Sequence, residues 1–429
     1  MEINKLTEWN PWWERKEAIE ELKGTFRPRY DILVNSVNIK EITIITGVRR
    51  SGKSTLMYQM IDKLLKNGIY PKQILFINLE DKKLIKNSLE EIYDSYRENI
   101  NLNEKAYIFL DEIHKKDKWE LWIRKKYDLK TKDKFIISGS CSYLLKKEYS
   151  TLLTGRNLTF EIYPLSFEEF LSFNKVNINK NNIKKNIILK ETKLTISKYL
   201  KEYLNFGGFP EVFFKPENYK MKILEQYFDD IIYKDIIDRY NLNSQIAKNL
   251  ALFLITNFTK IISLRNLRSI LEMSYDTIKD YISYFIGAYL FFTINYFSYS
   301  LKIQQANPKK IYCIDNGLRN AVSFKFSKDL GKLAENLVFI ELKRKEKEVF
   351  YWKKKGEVDF VIKNKDQSLN AINITYTNDI KKRETESLLE FKREFKKAKK
   401  LVILTKDLEK NEIEIEFIPL WKWLLLNEA

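Results

Sequence analysis

The sequence predicts an α/β protein of several domains, and three observations lead to this prediction. At 429 residues the chain is long enough for two or three domains that each bury a core. Residues 1 to about 160 alternate short β-branched runs with helical apolar spacing, the pattern of a parallel sheet covered on both faces. The pattern turns helical from 165 to 240, and strands return in the C-terminal part.

The first predicted strand leads into a phosphate-binding motif. GVRRSGKS, which follows the β-branched run EITIIT, matches G-x-x-x-x-G-K-[ST] at every fixed position. Its glycines allow a tight turn of converging backbone N–H groups, and the helical spacing that follows points a helix N-terminus at the same anion. The predicted nucleotide-binding residues are Gly47, Val48, Arg49, Arg50, Ser51, Gly52, Lys53, Ser54 and Thr55.

A chance match is the alternative interpretation of this motif. Glycine supplies only 12 of the 429 residues, so its placement at both required positions between a strand and a helix favours a true nucleotide site. In such a loop Lys53 brings positive charge to the β- and γ-phosphates, and the Ser54 hydroxyl ligates Mg²⁺. The predicted cofactors are therefore ATP and Mg²⁺.

A second strand ends in paired acids. In AYIFLDEIHK, four apolar or aromatic residues run into Asp111 and Glu112, which is the Walker B arrangement. Asp111 would hold the water shell of the Mg²⁺ ion, and Glu112 would polarise the attacking water. An ordinary strand end with solvated acids is the alternative, but the preceding loop favours a hydrolytic site.

Three further residues are candidates for contact with the γ-phosphate. The strand KFIISGSCSYLL ends in small polar residues, so Ser138 and Ser140 could serve as sensor residues. Arg156 lies between this strand and the next, where an arginine finger would reach a neighbouring subunit's nucleotide. A surface salt bridge explains Arg156 equally well, and the residues alone leave both interpretations open.

The composition excludes several classes of site. Cys141 and Cys313 are far apart and lack CxxC spacing, so neither a disulfide framework nor a zinc site is expected. His114 is the only histidine, which excludes histidine metal sites and a histidine general base.

Neither a signal peptide nor a membrane span is expected. The N-terminus carries acids and no apolar core, which is unlike a signal peptide. The uncharged stretch from Tyr281 to Leu301 is long enough to cross a bilayer, but its polar residues and tyrosines favour an aromatic helix followed by a strand hairpin. We therefore expect a cytoplasmic protein.

The net charge of +18, from 76 basic and 58 acidic residues, makes DNA or RNA a candidate partner. The basic residues are mostly lysines that are spread along the chain and interleaved with glutamate. Because adaptation to heat produces the same composition, the charge supports nucleic-acid contact only modestly.

Residues 241–310 follow the pattern of a winged helix, with three helices and a polar β-wing. A helix-turn-helix could place its third helix in a DNA groove. That helix carries Tyr275, Asp276 and Asp280 among few basic residues, so packing between domains explains it at least as well as DNA binding.

The C-terminal segment has part of the metal site of restriction-type nucleases. Glu335 lies on a predicted helix and Asp359 on a predicted strand, and the next strand should read E-x-K. It reads Asn373-Ile374-Thr375 instead, without the carboxylate or the lysine. We predict a nuclease-shaped but inactive domain; a plain α/β domain with two incidental acids would be equally inactive.

Together these motifs resemble the archaeal-type AAA+ ATPases over nearly the whole chain. The segments that carry the resemblance are GVRRSGKST, LDEIH, GSCSYLL, LTGRNLTFEIYPLSFEEFL, YLNFGGFP, YKDIIDRY, KKIYCIDNGL, AENLVFIEL and GEVDFVI. The resemblance implies a P-loop AAA+ core, a helical lid, a winged helix and a restriction-endonuclease-like α/β domain. The implied boundaries are 1–163, 164–240, 241–310 and 311–429.

The resemblance also implies roles for individual residues. Arg156 becomes an arginine finger, and Gly208 and Pro210 match a G-x-P element near the nucleotide. The implied function is Mg²⁺-dependent ATP hydrolysis that moves the other domains, on nucleic acid or in a homo-oligomer. The alternatives are a slow nucleotide-dependent switch that signals through a protein partner, and an active nuclease fused to an ATPase.

Overall fold

The computed structural model describes residues 3–140, 153–323, 329–412 and 414–426. Contacts divide the chain into two compact units, Met1–Ile162 and Tyr163–Ala429. Cys141 lies outside the described residues. The domain boundaries expected at 163, 240 and 310 stay predictions, and a strand, Lys309–Cys313, runs across the last of them.

The first unit contains a five-stranded sheet in which all strands are parallel, in the order β2-β3-β4-β1-β5. Its strands are β1 (Ile42–Thr46), β2 (Ile74–Asn78), β3 (Tyr107–Asp111), β4 (Lys134–Gly139) and β5 (Asn157–Glu161). Its helices are α1 (Asn4–Thr7), α2 (Ile19–Leu22), α3 (Asp31–Asn35), α4 (Lys53–Lys66), α5 (Leu89–Asn99) and α6 (Trp119–Asp128). The predicted parallel sheet is confirmed.

The strands of this sheet are buried on both faces. Every residue of β1 is buried, and its side chains alternate between two cores, with Ile44 in one and Ile45 in the other. Unbroken apolar runs are typical of parallel strands that are covered by helices on both sides. Helix α4 packs into the second core through apolar residues at helical spacing, including Leu56, Met60 and Leu64.

The second unit contains a nine-stranded mixed sheet in the order β13-β14-β12-β11-β10-β9-β7-β8-β6. Its strands are β6 (Ile261–Ile262), β7 (Phe291–Tyr296), β8 (Lys309–Cys313), β9 (Glu348–Lys353), β10 (Glu357–Lys363), β11 (Leu369–Ile374), β12 (Ala398–Thr405), β13 (Lys410–Glu412) and β14 (Ile415–Pro419). The sheet is continuous because β7 pairs with β8 on one side and, in parallel, with β9 on the other.

Helices precede, interrupt and follow this sheet along the chain. They are α7 (Phe167–Phe173), α8 (Lys180–Lys184), α9 (Lys190–Phe206), α10 (Pro210–Phe213), α11 (Glu217–Asp230), α12 (Asp238–Tyr240), α13 (Ser244–Thr256), α14 (Leu264–Leu271), α15 (Tyr275–Gly287), α16 (Leu301–Ala306), α17 (Asn316–Val322), α18 (Leu330–Arg344), α19 (Lys382–Glu394) and α20 (Leu420–Leu426). A π-helical stretch, Ile231–Ile237, joins α11 to α12.

The segment predicted as a winged helix, 241–310, contains four helices, α13 to α16, rather than three, together with strands β6 and β7 and the start of β8. Its assignment as a winged helix stays a prediction. The uncharged stretch from Tyr281 to Leu301 divides into the end of α15, strand β7 and the start of α16. In the described parts of the chain, no helix has the length and apolar character that a membrane crossing needs.

A buried carboxylate links two segments of the second unit that are distant in the sequence. Asp315 accepts hydrogen bonds from the backbone N–H groups of Gly208 and Gly317, each at 2.8 Å. Burial raises the pKa of Asp315 to about 6, although these N–H groups oppose the shift. The packing around Asp315 is close, because a Cβ on Gly317 would lie 2.2 Å from the carbonyl oxygen of Phe206.

We predict that Gly317→Ala lowers the free energy of unfolding by about 1–3 kcal/mol, since the added methyl group must displace the Phe206 backbone. Gly331→Ala is a matched control, because Gly331 is also the second residue of a helix but has open space around its Cβ position. The control should be neutral or stabilising by about 0.4–1 kcal/mol. Denaturant unfolding of the full chain would measure both, and equal effects would contradict the prediction.

Candidate nucleotide-binding site

The phosphate-binding loop runs from Gly47 to Gly52, between the end of β1 and the start of α4. Both glycines have positive φ angles, 147° and 96°, which disfavour residues with a side chain. A Cβ on Gly47 would lie only 2.1 Å from the carbonyl oxygen of Ile162, the residue after β5. Only glycine therefore fits where the loop leaves the sheet.

The other predicted loop residues lie around this turn. Val48 and Ser51 are buried, and Thr55 lies in the first turn of α4. Arg49 extends away from the loop toward β2, where its Nη2 donates to Glu80 Oε1 at 2.9 Å. This ion pair connects the loop to the segment that follows β2.

Lys53 is the first residue of α4, and its side chain lies against the loop. Its Nζ donates to the carbonyl oxygens of Gly47 and Val48 at 3.1 and 3.2 Å. The side chain is only 4% exposed. These two hydrogen bonds hold the ammonium group at the turn. The predicted phosphate-binding cation is therefore in contact with the backbone that forms the turn.

Asp111, the last residue of β3, is contacted by two hydroxyl groups. Ser54 Oγ donates to Asp111 Oδ2 at 2.6 Å, and Ser138 Oγ donates to Asp111 Oδ1. Burial and then the charge of Glu112 raise the pKa of Asp111 above its usual range. The two residues predicted to hold Mg²⁺, Ser54 and Asp111, are thus adjacent.

Glu112 follows Asp111 in a left-handed conformation, with φ of 54°. Its Oε2 accepts a hydrogen bond from the backbone N–H of Ser140 at 3.2 Å and lies 3.3 Å from His114 Nδ1. Its other oxygen, Oε1, is 4.0 Å from Lys53 Nζ. A residue with a side chain adopts positive φ at an energetic cost, and here that conformation directs the carboxylate toward the loop.

The order of the strands explains why these residues meet. Strand β4 lies between β1 and β3, so the carboxyl ends of the three strands form one edge of the sheet. That edge carries the loop after β1, the two acids after β3, and Ser138 and Ser140 at the end of β4. Open parallel sheets place their ligand sites at this edge.

Arg156 lies outside this cluster. Its backbone carbonyl accepts from Ile42 N at 2.8 Å, at the amino end of β1, whereas the loop follows the carboxyl end. Its Nε donates to Asp128 Oδ1 at 2.9 Å in a partly exposed ion pair. The surface salt bridge that the sequence left open is therefore present. A role as arginine finger stays a prediction, whether within the chain or toward a neighbouring subunit.

Gly208 and Pro210, which the family resemblance placed near the nucleotide, belong to the second unit. The N–H of Gly208 donates to Asp315, and Pro210 begins helix α10. Both residues have structural roles inside their own unit. Their contact with nucleotide stays a prediction.

The sequence reasoning missed two residues beside the loop. Arg27 is buried, and its Nη1 donates to the carbonyl oxygen of Ser51 at 2.9 Å while its guanidinium lies over the ring of Tyr30. His114, the only histidine of the sequence, contacts Glu112. Arg27 lies in an N-terminal segment without a recognisable motif, so its contact with the loop could not be predicted. The position of His114, two residues after Glu112, does indicate a place near the site.

Three family models match consecutive parts of the chain. Residues 39–171 match an AAA domain, residues 197–329 match a domain of unknown function, DUF8612, and residues 330–423 match another, DUF4143. The AAA match includes the loop, the paired acids and the sensor candidates described above. No function is attached to the two C-terminal models.

Two relatives are similar over most of the chain. An uncharacterized protein of Methanocaldococcus jannaschii, MJ1544, is 35% identical over 406 residues, which cover 90% of this chain and 88% of the relative. An uncharacterized protein of Haemophilus influenzae is 32% identical over 395 residues, which cover 90% and 94%.

Among solved structures, the Orc1 protein of Aeropyrum pernix in complex with DNA matches with a TM-score of 0.31 and 10% identity. The match covers 72% of this chain and 92% of that one, and it is too distant to bear on function. The family follows from the AAA match and from the relatives of nearly equal length. The chain belongs to the archaeal-type AAA+ P-loop ATPases, with two C-terminal domains of unknown function after its AAA domain.

Proposed function

We propose that the first unit binds ATP together with Mg²⁺ and hydrolyses it. The observation that carries this proposal is the 2.6 Å hydrogen bond between Ser54 Oγ and Asp111 Oδ2. It brings together a hydroxyl and a carboxylate, both hard oxygen ligands of the kind that Mg²⁺ binds, at the first turn of α4. The ammonium group of Lys53 lies at the same turn.

The residues present fit the chemistry of phosphoryl transfer to water. Bound Mg²⁺ would neutralise negative charge on the β- and γ-phosphates, and Ser54 and Asp111 would hold it. The loop N–H groups and Lys53 would stabilise the charge that develops on the transferred phosphoryl group. Hydrolysis of this kind depends mainly on positioning and electrostatics, which a rigid sheet edge supplies.

Glu112 is our candidate for the residue that orients and polarises the attacking water. Its Oε2 is fixed by Ser140 N–H and contacted by His114, while its Oε1 is directed toward Lys53. Because Lys53 marks the expected position of the β- and γ-phosphates, Oε1 is the oxygen that would face a water beyond the γ-phosphate. A carboxylate held in this way is pre-oriented for the reaction.

The coupling of hydrolysis to movements of the second unit, on nucleic acid or in a homo-oligomer, remains a proposal from the family resemblance. The slow switch acting through a protein partner is the alternative. Turnover measured with and without DNA or RNA separates them. Strong stimulation of ATP turnover by a polynucleotide favours a function on nucleic acid. Slow turnover that neither DNA nor RNA changes favours the switch.

We predict that Lys53→Ala abolishes ATP binding, because the loop then lacks its phosphate-binding cation. Lys66→Ala is the matched control, since Lys66 ends the same helix and its side chain is 62% exposed. Equilibrium binding of a fluorescent ATP analogue would measure both. Unchanged affinity in Lys53→Ala would contradict nucleotide binding at this loop.

Glu112→Gln should bind ATP with nearly unchanged affinity but hydrolyse it about 10²-fold more slowly or worse, since the amide cannot accept a proton from water. Glu98→Gln, at an exposed position on α5, should leave turnover unchanged. Phosphate release at saturating ATP is the measurement. Full turnover by Glu112→Gln would remove this residue from the water-activating role.

Arg156→Ala should lower turnover if Arg156 reaches a neighbouring subunit's nucleotide, and mixing this variant with Lys53→Ala protein should restore part of the activity. Arg124→Ala is the control, because Arg124 also pairs with Asp128, at 3.4 Å. Equal effects of the two variants, or no restoration at any mixing ratio, would favour a purely structural ion pair.

A further inference from the structure

A buried lysine in the second unit is surrounded by three carboxylates. Lys310, on β8, has its Nζ 2.8 Å from Glu335 Oε1, 2.9 Å from Glu357 Oε1 and 3.1 Å from Asp359 Oδ1. Glu335 comes from α18, and the other two acids come from β10. We call Glu335, Glu357 and Asp359 the acid triad. Two elements, α18 and β10, thus place oxygens around an ammonium group that a third element, β8, supplies.

The lysine lies beneath the acids, away from solvent. The Lys310 side chain is 2% exposed, whereas those of Glu335, Asp359 and Glu357 are 12%, 17% and 33% exposed. Burial alone would lower the pKa of Lys310, but the negative charges around it raise that pKa well above its usual value. Burial raises the pKa of Glu335 to about 7, even though the lysine opposes this shift.

Two of the triad acids also accept a hydrogen bond from a group other than Lys310. Tyr312 Oη donates to Glu335 Oε1 at 2.9 Å, and the backbone N–H of Ile374 donates to Asp359 Oδ2 at 2.9 Å. A lysine ammonium has three N–H donors, and here each of the three carboxylates offers one oxygen to it. The oxygens of the triad therefore converge on Nζ itself.

The residue that replaces the expected carboxylate has a structural function. Asn373 Oδ1 accepts from the N–H of Asp359 at 3.1 Å, and its Nδ2 donates to Ser387 Oγ at 2.9 Å. Its amide therefore holds β10 in place and joins it to α19. The sequence identified the missing acid and lysine correctly, but it did not reveal that a lysine from β8 reaches the same acids.

We propose that the acid triad is a cation site whose permanent occupant is the Lys310 ammonium group, which takes the place that a divalent metal ion would otherwise fill. The proposal goes beyond ATP hydrolysis and is independent of it. A metal ion bound by the triad would have to displace Nζ, because the same oxygens contact it. The second unit then uses its own side chain as a fixed counter-charge and needs no metal for its fold.

The opposite interpretation is that Lys310 stands beside a metal as a catalytic lysine. It requires carboxylate oxygens that converge on a point other than Nζ. Binding of Mn²⁺ to the full chain without nucleotide, measured by electron paramagnetic resonance, distinguishes the two interpretations. All proteins carry Asp111→Asn, which removes the carboxylate from the two predicted metal ligands of the first unit, Ser54 and Asp111.

We expect no Mn²⁺ site that depends on Asp359 in the protein with Lys310 intact. The Lys310→Ala protein should bind Mn²⁺ at least tenfold more tightly than the protein with Lys310 intact. The reason is that the oxygens of the triad are then free and their negative charge is uncompensated. Adding Asp359→Asn to Lys310→Ala should remove that site. Lys309→Ala, at the exposed neighbouring position, is the control and should gain nothing.

Thermal unfolding gives a second readout. In EDTA, Lys310→Ala should lower the Tm by about 10 °C or more, since three acids lose their cation, and Mn²⁺ should restore part of the loss. An unchanged Tm without a new Mn²⁺ site would overturn the proposal. If the Lys310→Ala protein fails to fold, the proposal can still be tested by comparing Mn²⁺ binding to the Lys310-intact protein with and without Asp359→Asn. A Mn²⁺ site present before that substitution and lost after it would refute the proposal, and equal binding would support it.

Discussion

The buried charge of Asp111 is the constraint on which the candidate site of the first unit depends. A buried carboxylate is stable only with polar partners, and Ser54 and Ser138 supply hydroxyl groups from two other elements. These contacts connect the start of α4, the end of β3 and the end of β4. The contacts that stabilise the acid are therefore also those that align the loop with the residues beyond it.

The two units compensate buried acids in different ways. At the candidate nucleotide site, hydroxyl groups partner Asp111, and in our proposal Mg²⁺ would be the cation that it binds. At the acid triad, the chain provides the cation itself through Lys310. Hydroxyl partners are compatible with exchange of a bound group, whereas a covalently attached ammonium makes the site permanent.

The loop and the paired acids could be predicted because each is a contiguous motif at the end of an apolar strand. The parallel sheet followed from the alternation of strands and helices. The insertion of β4 between β1 and β3 could not be predicted, because strand order depends on contacts between distant segments. The contacts of Arg27 and Lys310 could not be predicted for the same reason, since each side chain has partners that are distant in the sequence. The family matches leave the functions of the C-terminal domains open.

The continuous nine-stranded sheet limits how this chain could have been assembled from modules. Strand β8 spans residue 310, and the neighbouring β7 joins the sheet of the preceding segment to β9 of the following one. A recombination event at 310 would cut β8, which is paired on both sides, and expose unpaired backbone on both fragments, which favours aggregation. Natural exchange of the C-terminal domain would therefore have to carry the β6–β8 segment with it, so the two are expected to be inherited together.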